Sequence, residues 1–389
     1  MCRPVVMLLA ACLAPTVAAA QEADPIARLV ARLDLEQYKA TIKGLTQFGD
    51  RRQGTDRNRA AVDWIEVQLK RYGCSDVARL KYEYQPPSPP SPEGRGGQGV
   101  RPAAGGGRYR GTRARTGVNT DSLRQPDRRV RALDAQATTP GAREEVYCTK
   151  IGSGHPGEMY IVGAHMDGHG WGEAANDDGS GTALVMQLAR VLSAPDVRTD
   201  RSIRFILWNN EETGLNGARA YVEQRQALQG KEDPAGSGRY PEPTWLGMIQ
   251  HDMMLFDHGM PRADGTLAPE QRPEADVNIE FQSSAKFAAQ AQQLAWTFQA
   301  ANEKYATDYP ASVGPHMTNT DSAPFQDLVA AISLRENERG TQIGVGWDPN
   351  WHQPTDLYAT YSDKDFRLGL NAAQTTLGAL AGLVGATTQ

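Results

Sequence analysis

Cysteine is scarce in this chain of 389 residues, which contains four in total. Cys2 and Cys12 lie close to the N-terminus, and Cys74 and Cys148 belong to no closely spaced cysteine cluster. This scarcity excludes a small scaffold that depends on many disulfides and a zinc site built from grouped thiolates. A single bridge between Cys74 and Cys148 stays possible, because the sequence does not show whether their Cα atoms approach each other.

The sequence also lacks an excess of positive charge. Lys and Arg total 41 against 46 Asp and Glu, which gives a formal net charge of -5. Proteins that neutralise nucleic-acid phosphates usually carry a strong basic excess, so we exclude nucleic acid as a partner. The hydrophobic content of 40% over this length is enough for one large α/β domain, or two modest ones, with a buried core.

The N-terminal apolar stretch, residues 5–17, is too short for a membrane-spanning helix. It follows Arg3 and ends in a run of alanines up to Ala20, which is the order of a secretory signal peptide. We predict a signal peptide at residues 1–20 and a periplasmic or extracellular protein without a transmembrane segment. In the alternative interpretation, the residues up to Cys12 form a bacterial lipoprotein box and Cys12 anchors the mature chain.

Apolar periodicity predicts alternating helices and strands. Helices are expected at residues 24–48, 56–72, 182–192, 218–226, 284–304 and 363–384, and strands at residues 77–84, 159–164, 203–208, 246–249 and 329–334. Short apolar strands of this kind are typical of a sheet that is covered on both faces. The sequence therefore predicts an α/β fold, a three-layer α/β/α sandwich with a mostly parallel mixed sheet, in a single catalytic domain over residues 21–389.

A Pro/Gly/Arg-rich segment at about residues 85–143 interrupts this alternation. It shows no apolar periodicity, so we interpret it as a largely irregular surface insertion between two strands of the same domain. A basic docking arm for an acidic partner is the functional alternative.

Three of the predicted strands end in side chains that can bind a metal ion. The strand ends carry, in chain order, His165 and Asp167, then Glu211 and Glu212, then Asp252. Ligands of open α/β sheets bind beyond the carboxyl ends of the strands, where these side chains would meet. One acid of the adjacent pair Glu211 and Glu212 could bind metal while the other faces a metal-activated water.

Two further segments add to this set. Asp177 opens a predicted helix, and a carboxylate near a helix N-terminus stays ionised and can bridge two cations. His352 is followed by Asp356, which could accept the second ring N–H of the histidine, as Asp167 could for His165. A mixed set of histidines and carboxylates favours zinc, with cobalt or manganese as substitutes.

Five short blocks together resemble the co-catalytic zinc aminopeptidases, the bacterial leucyl aminopeptidase family, whose relatives include glutamate carboxypeptidase and glutaminyl cyclase. The blocks are His165-Met166-Asp167, residues 176–181, residues 211–221, Asp252 and residues 352–356, and they occur in the family's order. The resemblance spans about residues 54–381 and leaves out the leader and the Pro/Gly/Arg-rich segment.

The resemblance implies two zinc ions with Asp177 bridging them. It implies that His165 and Asp252 complete one site, that Glu212 and His352 complete the other, and that Glu211 is the general base. Two positions depart from the family pattern. Trp351 stands where family members often have a tyrosine that steadies the oxyanion, and its indole could substitute. The family's Ser-Asp-His block appears as residues 320–322, which leaves Asp321 as a possible oxyanion or substrate contact and puts Ser322 in place of the histidine.

The remaining histidines have no counterpart among the family's ligands. We expect structural or solvated roles for His155, His169, His251, His258 and His316. His251 should point away from Asp252 if the strand continues, because adjacent side chains of a strand face opposite sides.

Hydrolysis of peptides with a free N-terminus is the activity that this set of residues favours. A glutaminyl cyclase, which the resemblance implies would use one zinc, is the first alternative. A carboxypeptidase is the second, and Arg335 is the candidate that would hold the substrate carboxylate. A non-catalytic binding domain is a third alternative, although every expected ligand position is filled. The preferred first residue, the natural substrate and the oligomeric state cannot be read from the sequence.

Overall fold

A computed structural model describes residues 24–85, 117–259, 264, 266, 276–315, 319–336 and 348–389. The predicted leader, Cys12 and His316 lie outside the described residues, as does most of the Pro/Gly/Arg-rich segment. The described residues form one domain of mixed α/β type.

The helices of the described residues alternate with strands from the middle of the chain onwards. They are α1 (Pro25–Val30), α2 (Leu35–Thr46), α3 (Asp56–Arg71), α4 (Arg128–Asp134), α5 (Gly179–Leu192), α6 (Asn216–Arg225), α7 (Ala288–Tyr305) and α8 (Asp363–Leu383). The strands are β1 (Ala78–Tyr84), β2 (Gly141–Lys150), β3 (His155–His165), β4 (Val197–Arg198), β5 (Arg201–Trp208), β6 (Thr244–His251), β7 (Val277–Phe281), β8 (Ala311–Gly314), β9 (Ala331–Arg335) and β10 (Thr387–Thr388).

Eight of these strands form one mixed sheet in the order β1-β2-β5-β3-β6-β9-β7-β8. The four strands at its centre, from β5 to β9, run parallel to one another, and antiparallel pairs lie at β1-β2, β2-β5 and β9-β7. The carboxyl ends of β5, β3 and β6 therefore lie side by side, which confirms the predicted mostly parallel sheet.

Helices cover the two faces of the sheet unequally. One face packs against the apolar sides of α2, α3, α5, α7 and α8 in a large core that includes Leu184, Phe205 and Leu377. The other face packs mainly against α6, through a smaller cluster that includes Trp208 and Tyr221. The layers are those that the sequence predicts, with most of the helical cover on one side.

The N-terminal part departs from the single helix predicted over residues 24–48. It forms α1 and α2, which are separated at residues 31–34. Asp34 begins α2 as its N-cap, and its carboxylate accepts a hydrogen bond from the main-chain N–H of Gln37 at 2.8 Å. A single helix was predicted because both helices present their apolar sides to the same core, so the helical spacing of apolar residues continues across the cap.

The described end of the Pro/Gly/Arg-rich segment, residues 117–143, is more ordered than the largely irregular insertion expected from its composition. Asp127 caps α4, and β2 begins at Gly141 and pairs with β1. Asn119 donates its main-chain N–H to the carbonyl of His352 at 3.0 Å. This stretch therefore packs against a loop that carries one of the predicted metal ligands.

Cys74 and Cys148 lie close together, the first in the loop before β1 and the second in β2. Their Cα atoms lie 6.0 Å apart and their Sγ atoms 2.14 Å apart, which is the arrangement of a disulfide. The bridge joins the loop after α3 to β2 across 74 residues of sequence, and both side chains are buried in the main core.

We predict that replacing both Cys74 and Cys148 by alanine lowers the free energy of unfolding by about 2–4 kcal/mol, because the bridge restricts a long loop of the unfolded chain. Denaturant unfolding with and without a reducing agent measures this. Reduction should destabilise the wild type and leave the double variant unchanged. Equal midpoints for oxidised and reduced wild type would contradict a bridge.

Within the described residues, no helix combines the length and the apolar character needed to cross a membrane.

Candidate metal centre

Neighbouring strand ends bring the predicted ligands together at one edge of the sheet. His165 is the last residue of β3 and pairs in register with Trp208, the last residue of β5. On the other side, Ala164 pairs with His251 at the end of β6, and Asp252 follows directly. Parallel neighbours in this register deliver their C-terminal residues to one edge.

Asp177 joins two groups of ligand atoms, with one carboxylate oxygen in each. In the first group, Nε2 of His165 lies 3.2 Å from Oδ1 of Asp177 and 3.8 Å from Oδ1 of Asp252. In the second group, Nε2 of His352 lies 3.0 Å from Oδ2 of Asp177 and 2.9 Å from Oε2 of Glu212. The structure thus divides the five predicted ligands into the two groups that the family resemblance implies.

The imidazoles and carboxylates of these groups stabilise each other's charged forms. Burial alone would lower the pKa of both imidazoles, yet the surrounding carboxylates raise that of His165 well above its usual range and that of His352 to about 10. Burial opposes ionisation of the acids as well, but the imidazoles lower the pKa of Asp177, and His169 and His352 lower that of Glu212 to about 2. The buried acids therefore stay ionised only beside positive charge, which bound cations can supply.

Asp177 directly precedes the N-cap of α5, and this cap fixes the main chain next to it. Asp178 is the N-cap of this helix, and its carboxylate accepts the main-chain N–H groups of Gly181 at 2.8 Å and of His165 at 3.2 Å. Asp178 therefore ties the ligand loop to the end of β3. Its own oxygens are taken up by these main-chain contacts and by that of Met253 at 3.2 Å.

Glu211 lies beside the two groups, after a turn of the chain. Asn210 has a φ of +66°, and this turn separates Glu211 and Glu212 from the end of β5. Burial raises the pKa of Glu211 well above its usual range, and repulsion from Glu212 adds to the effect. The main-chain N–H of Glu211 donates to Oδ1 of Asp167 at 3.0 Å, which fixes the position of the predicted base.

The two expected partners of the histidine rings have other contacts. Nδ1 of His165 lies 2.9 Å from the main-chain oxygen of Asp167, while the Asp167 carboxylate is 3.9 Å from it and holds Glu211 instead. The carboxylate of Asp356 accepts the main-chain N–H of Asp177 at 3.1 Å, and Nδ1 of His352 has no hydrogen-bond partner among the described residues. Both acids orient the site through its main chain, and the prediction that their carboxylates bind the rings was wrong.

Trp351 and Asp321 contact different residues of the site. The indole of Trp351 stacks on the ring of His352, with centroids 4.0 Å apart. Asp321 is fully buried, and its carboxylate lies 3.5 Å from the Nε2 of Gln250. Stacking orients the His352 ring, and the buried Asp321 carboxylate interacts electrostatically with His165 and Asp252.

His169, for which a structural or solvated role was expected, lies next to two of the predicted ligands. Its Nε2 lies 3.0 Å from Oε2 of Glu212 and 3.1 Å from Nε2 of His352, so it belongs to the second group of ligand atoms. Its place four residues after His165, in the loop between β3 and α5, was the available signal. The other described histidines are structural or exposed as expected: His251 is buried between Gly163 and Thr376, His258 bonds Asp365, and His155 is half exposed.

Residues 146–373, more than half of the chain, match the profile of peptidase family M28. The chain belongs to peptidase family M28. One curated relative is the probable lipoprotein aminopeptidase LpqL of Mycobacterium tuberculosis, which is 29% identical over 62% of this chain and 45% of its own length. The chain spans less than half the length of the first curated relatives that it matches.

Solved structures of the M28 fold are similar over almost the whole chain. BSAP, a zinc aminopeptidase from Bacillus subtilis, aligns with a TM-score of 0.61 and 16% identity over 90% of this chain and 95% of its own. Porphyromonas gingivalis glutaminyl cyclase aligns with a TM-score of 0.56 and 14% identity, over 90% and 99% of the two chains. At such identities the likeness shows the fold, and it does not separate the two activities.

The residues of this M28 chain fit zinc. Imidazole nitrogens and carboxylate oxygens are the donors that zinc takes in catalytic sites, and the Asp177 carboxylate here contacts one histidine with each of its oxygens. Oε1 of Glu212 is buried without a hydrogen-bond partner among the described residues. An unpartnered buried carboxylate oxygen at this position is explained by a bound cation.

Arg335 of β9 is engaged within the protein. Its guanidinium is buried and forms an ion pair with Oδ2 of Asp252. Since the opposite oxygen of Asp252 faces His165, the ion pair orients this carboxylate towards the metal centre. Arg335 is therefore not presented to a substrate carboxylate, as the carboxypeptidase alternative required.

A cavity of about 440 Å³ opens next to the second group of ligand atoms. His169, Glu212 and Thr213 lie on one side of it, and Arg52, Gln53 and residues 118–120 form other parts of its wall. The end of the Pro/Gly/Arg-rich segment thus contributes to the space beside the metal centre. Pockets of this size accommodate small molecules or the terminal residues of a peptide.

Proposed function

We propose that this chain is a zinc-dependent aminopeptidase that hydrolyses the N-terminal peptide bond of peptide substrates. The observation that carries the proposal is the division of the ligand atoms about Asp177. Each of its oxygens lies within 3.2 Å of a different histidine nitrogen. Two cations that share one carboxylate are a known arrangement for hydrolysis, in which both reacting oxygens are stabilised.

In this proposal, His165, Asp177 and Asp252 hold one zinc, and Asp177, Glu212 and His352 hold the other. When bound, the cations supply Lewis acidity and make a water easier to deprotonate. Glu211 accepts the proton of that water and returns it to the leaving amine. The main-chain N–H of Glu211 donates to Asp167, which holds the backbone from which this side chain extends.

Negative charge around the site supports action on a free N-terminus. Several buried carboxylates surround His165, and Glu211 is the one among them that the proposed cations do not bind, so it can attract a protonated α-amino group. An acylated N-terminus carries no charge and should bind and react poorly. We expect exopeptidase action for this reason.

Two other activities keep some support. The similarity in fold to a glutaminyl cyclase leaves cyclisation of N-terminal glutamine as one candidate. Arg52 lines the cavity and could hold a substrate carboxylate, although its guanidinium already lies 3.1 Å from Asp50. Its place in the cavity wall makes Arg52 a better candidate for this role than the buried Arg335.

We also propose that the protein is exported after removal of residues 1–20. The Cys74–Cys148 arrangement supports this, because disulfides persist in oxidising compartments. A relative named as a lipoprotein aminopeptidase keeps anchoring through Cys12 as the alternative. Mass spectrometry of the mature protein distinguishes the two, since a free N-terminus at Gln21 and a lipid-modified Cys12 differ in mass.

A panel of substrates tests the activity on purified protein. We predict turnover of aminoacyl anilides, no turnover of the same compounds after N-acetylation, loss of activity with a zinc chelator and recovery when zinc is returned. Cyclisation of a glutaminyl peptide without anilide hydrolysis would favour the cyclase. Release of C-terminal residues from N-acetylated peptides would favour the carboxypeptidase.

A further inference from the structure

His169 completes a triangle of ligand atoms at the second group. Its Nε2 lies 3.0 Å from Oε2 of Glu212, that oxygen lies 2.9 Å from Nε2 of His352, and the two nitrogens lie 3.1 Å apart. The three side chains are almost buried, with exposures of 14% for His169, 11% for His352 and 6% for Glu212. Three donor atoms therefore point at one small volume.

This spacing matches donors on a shared cation. Zinc bonds to nitrogen and oxygen are about 2.0–2.2 Å long, so adjacent donors of one zinc lie about 3.0–3.5 Å apart. A hydrogen bond between His169 and Glu212 explains one side of the triangle alone. It does not explain why a second imidazole nitrogen faces both the same oxygen and the first nitrogen.

The loop that carries His169 is held against the loop of His352. Gly170 has a φ of +105°, and a Cβ atom at this position would lie 2.4 Å from the carbonyl group of His352. Gln125 bridges the same two loops, with its Nε2 donating to the main-chain oxygens of Trp171 at 2.6 Å and Pro354 at 2.9 Å. Close backbone packing and this bridge set the position of the His169 ring, which is a requirement for a metal ligand.

We propose that His169 is a sixth protein ligand of the metal centre, in addition to the five that the family resemblance implies. This inference rests on the proposed two-zinc peptidase. The second site then has four protein donors, from Asp177, Glu212, His352 and His169, whereas the first site has three. An additional protein donor strengthens the hold on a zinc ion, so the zinc beside His169 is the more tightly bound of the two.

Zinc affinities of three proteins test this proposal. Wild type, His169→Ala and the control His155→Ala are titrated with zinc against a chelating indicator, and circular dichroism verifies that each is folded. His155 offers a matched control because it is an exposed histidine at the opposite end of β3. We expect the dissociation constant of the tighter zinc site to rise at least about tenfold in His169→Ala and to stay unchanged in His155→Ala. Mutation of residues that only hydrogen-bond to metal ligands already lowers metal affinity by about 10- to 100-fold, so loss of a direct ligand should lower it at least as much.

Cobalt substitution separates direct ligation from indirect support. In the proton NMR spectrum of the dicobalt protein, each ligated imidazole gives one shifted, exchangeable N–H signal. We expect three such signals in wild type and two in His169→Ala. Two signals in both proteins, or equal tight-site constants, would overturn the role of His169 while leaving the two-metal peptidase intact. A wild type that binds no zinc would overturn both.

Discussion

The Glu211→Gln variant is expected to lose about 10²- to 10⁴-fold in turnover of an aminoacyl anilide, which is the usual contribution of a positioned general base. Glutamine keeps the shape of the side chain and cannot accept the proton of the attacking water. Glu211 lies outside both groups of ligand atoms, so the variant should still bind zinc as the wild type does.

The number of zinc ions per chain and the rate of anilide hydrolysis are both measured on each preparation, because together they distinguish a general base from a metal ligand. Glu223→Gln is the matched control, because Glu223 is exposed on α6, outside the centre. It should keep both values of the wild type. Full activity in Glu211→Gln would refute the assigned base, and loss of zinc together with activity would make Glu211 a ligand.

The Asp177→Ala variant is expected to lose metal from both sites. Asp177 contributes one oxygen to each group, so its removal takes one donor from each zinc. Loss of the zinc ions then leaves the remaining buried carboxylates without compensating positive charge. We expect fewer than two zinc ions per chain and a loss of activity that added zinc restores only in part. Metal analysis after dialysis measures the first value.

Asp76→Ala is a suitable control for this experiment, since Asp76 is exposed in the loop after α3. It should retain the metal content of the wild type. Full zinc occupancy in Asp177→Ala would remove this residue from the bridge and with it the shared-carboxylate arrangement.

The sequence was sufficient for features that depend on local chemistry. The apolar spacing of residues 56–72 predicted α3 almost to the residue, and the apolar runs at residues 159–164, 203–208 and 246–249 predicted three central strands. Because parallel strands place their carboxyl ends at one edge, the same runs also predicted that His165, Glu212 and Asp252 would meet.

Contacts between loops that are distant in the chain could not be predicted from the sequence. The only sequence signal at His169 was its place four residues after His165, and its proximity to Glu212 depends on how the loop at Gly170 packs against His352. Asp356 likewise accepts a hydrogen bond from the main chain of Asp177 and not from the expected ring nitrogen, because the packing of distant loops decides which group it reaches. The short strands β7 and β8 were not predicted either, because they are defined by pairing with each other and with β9 at one side of the sheet.

Anomalous diffraction at the zinc absorption edge, from crystals of the purified protein, tests the central arrangement most directly. We predict two peaks, one on each side of the Asp177 carboxylate, with His165 and Asp252 at one and Glu212 and His352 at the other. A single peak, or peaks that do not share Asp177, would contradict a dinuclear centre at this edge of the sheet.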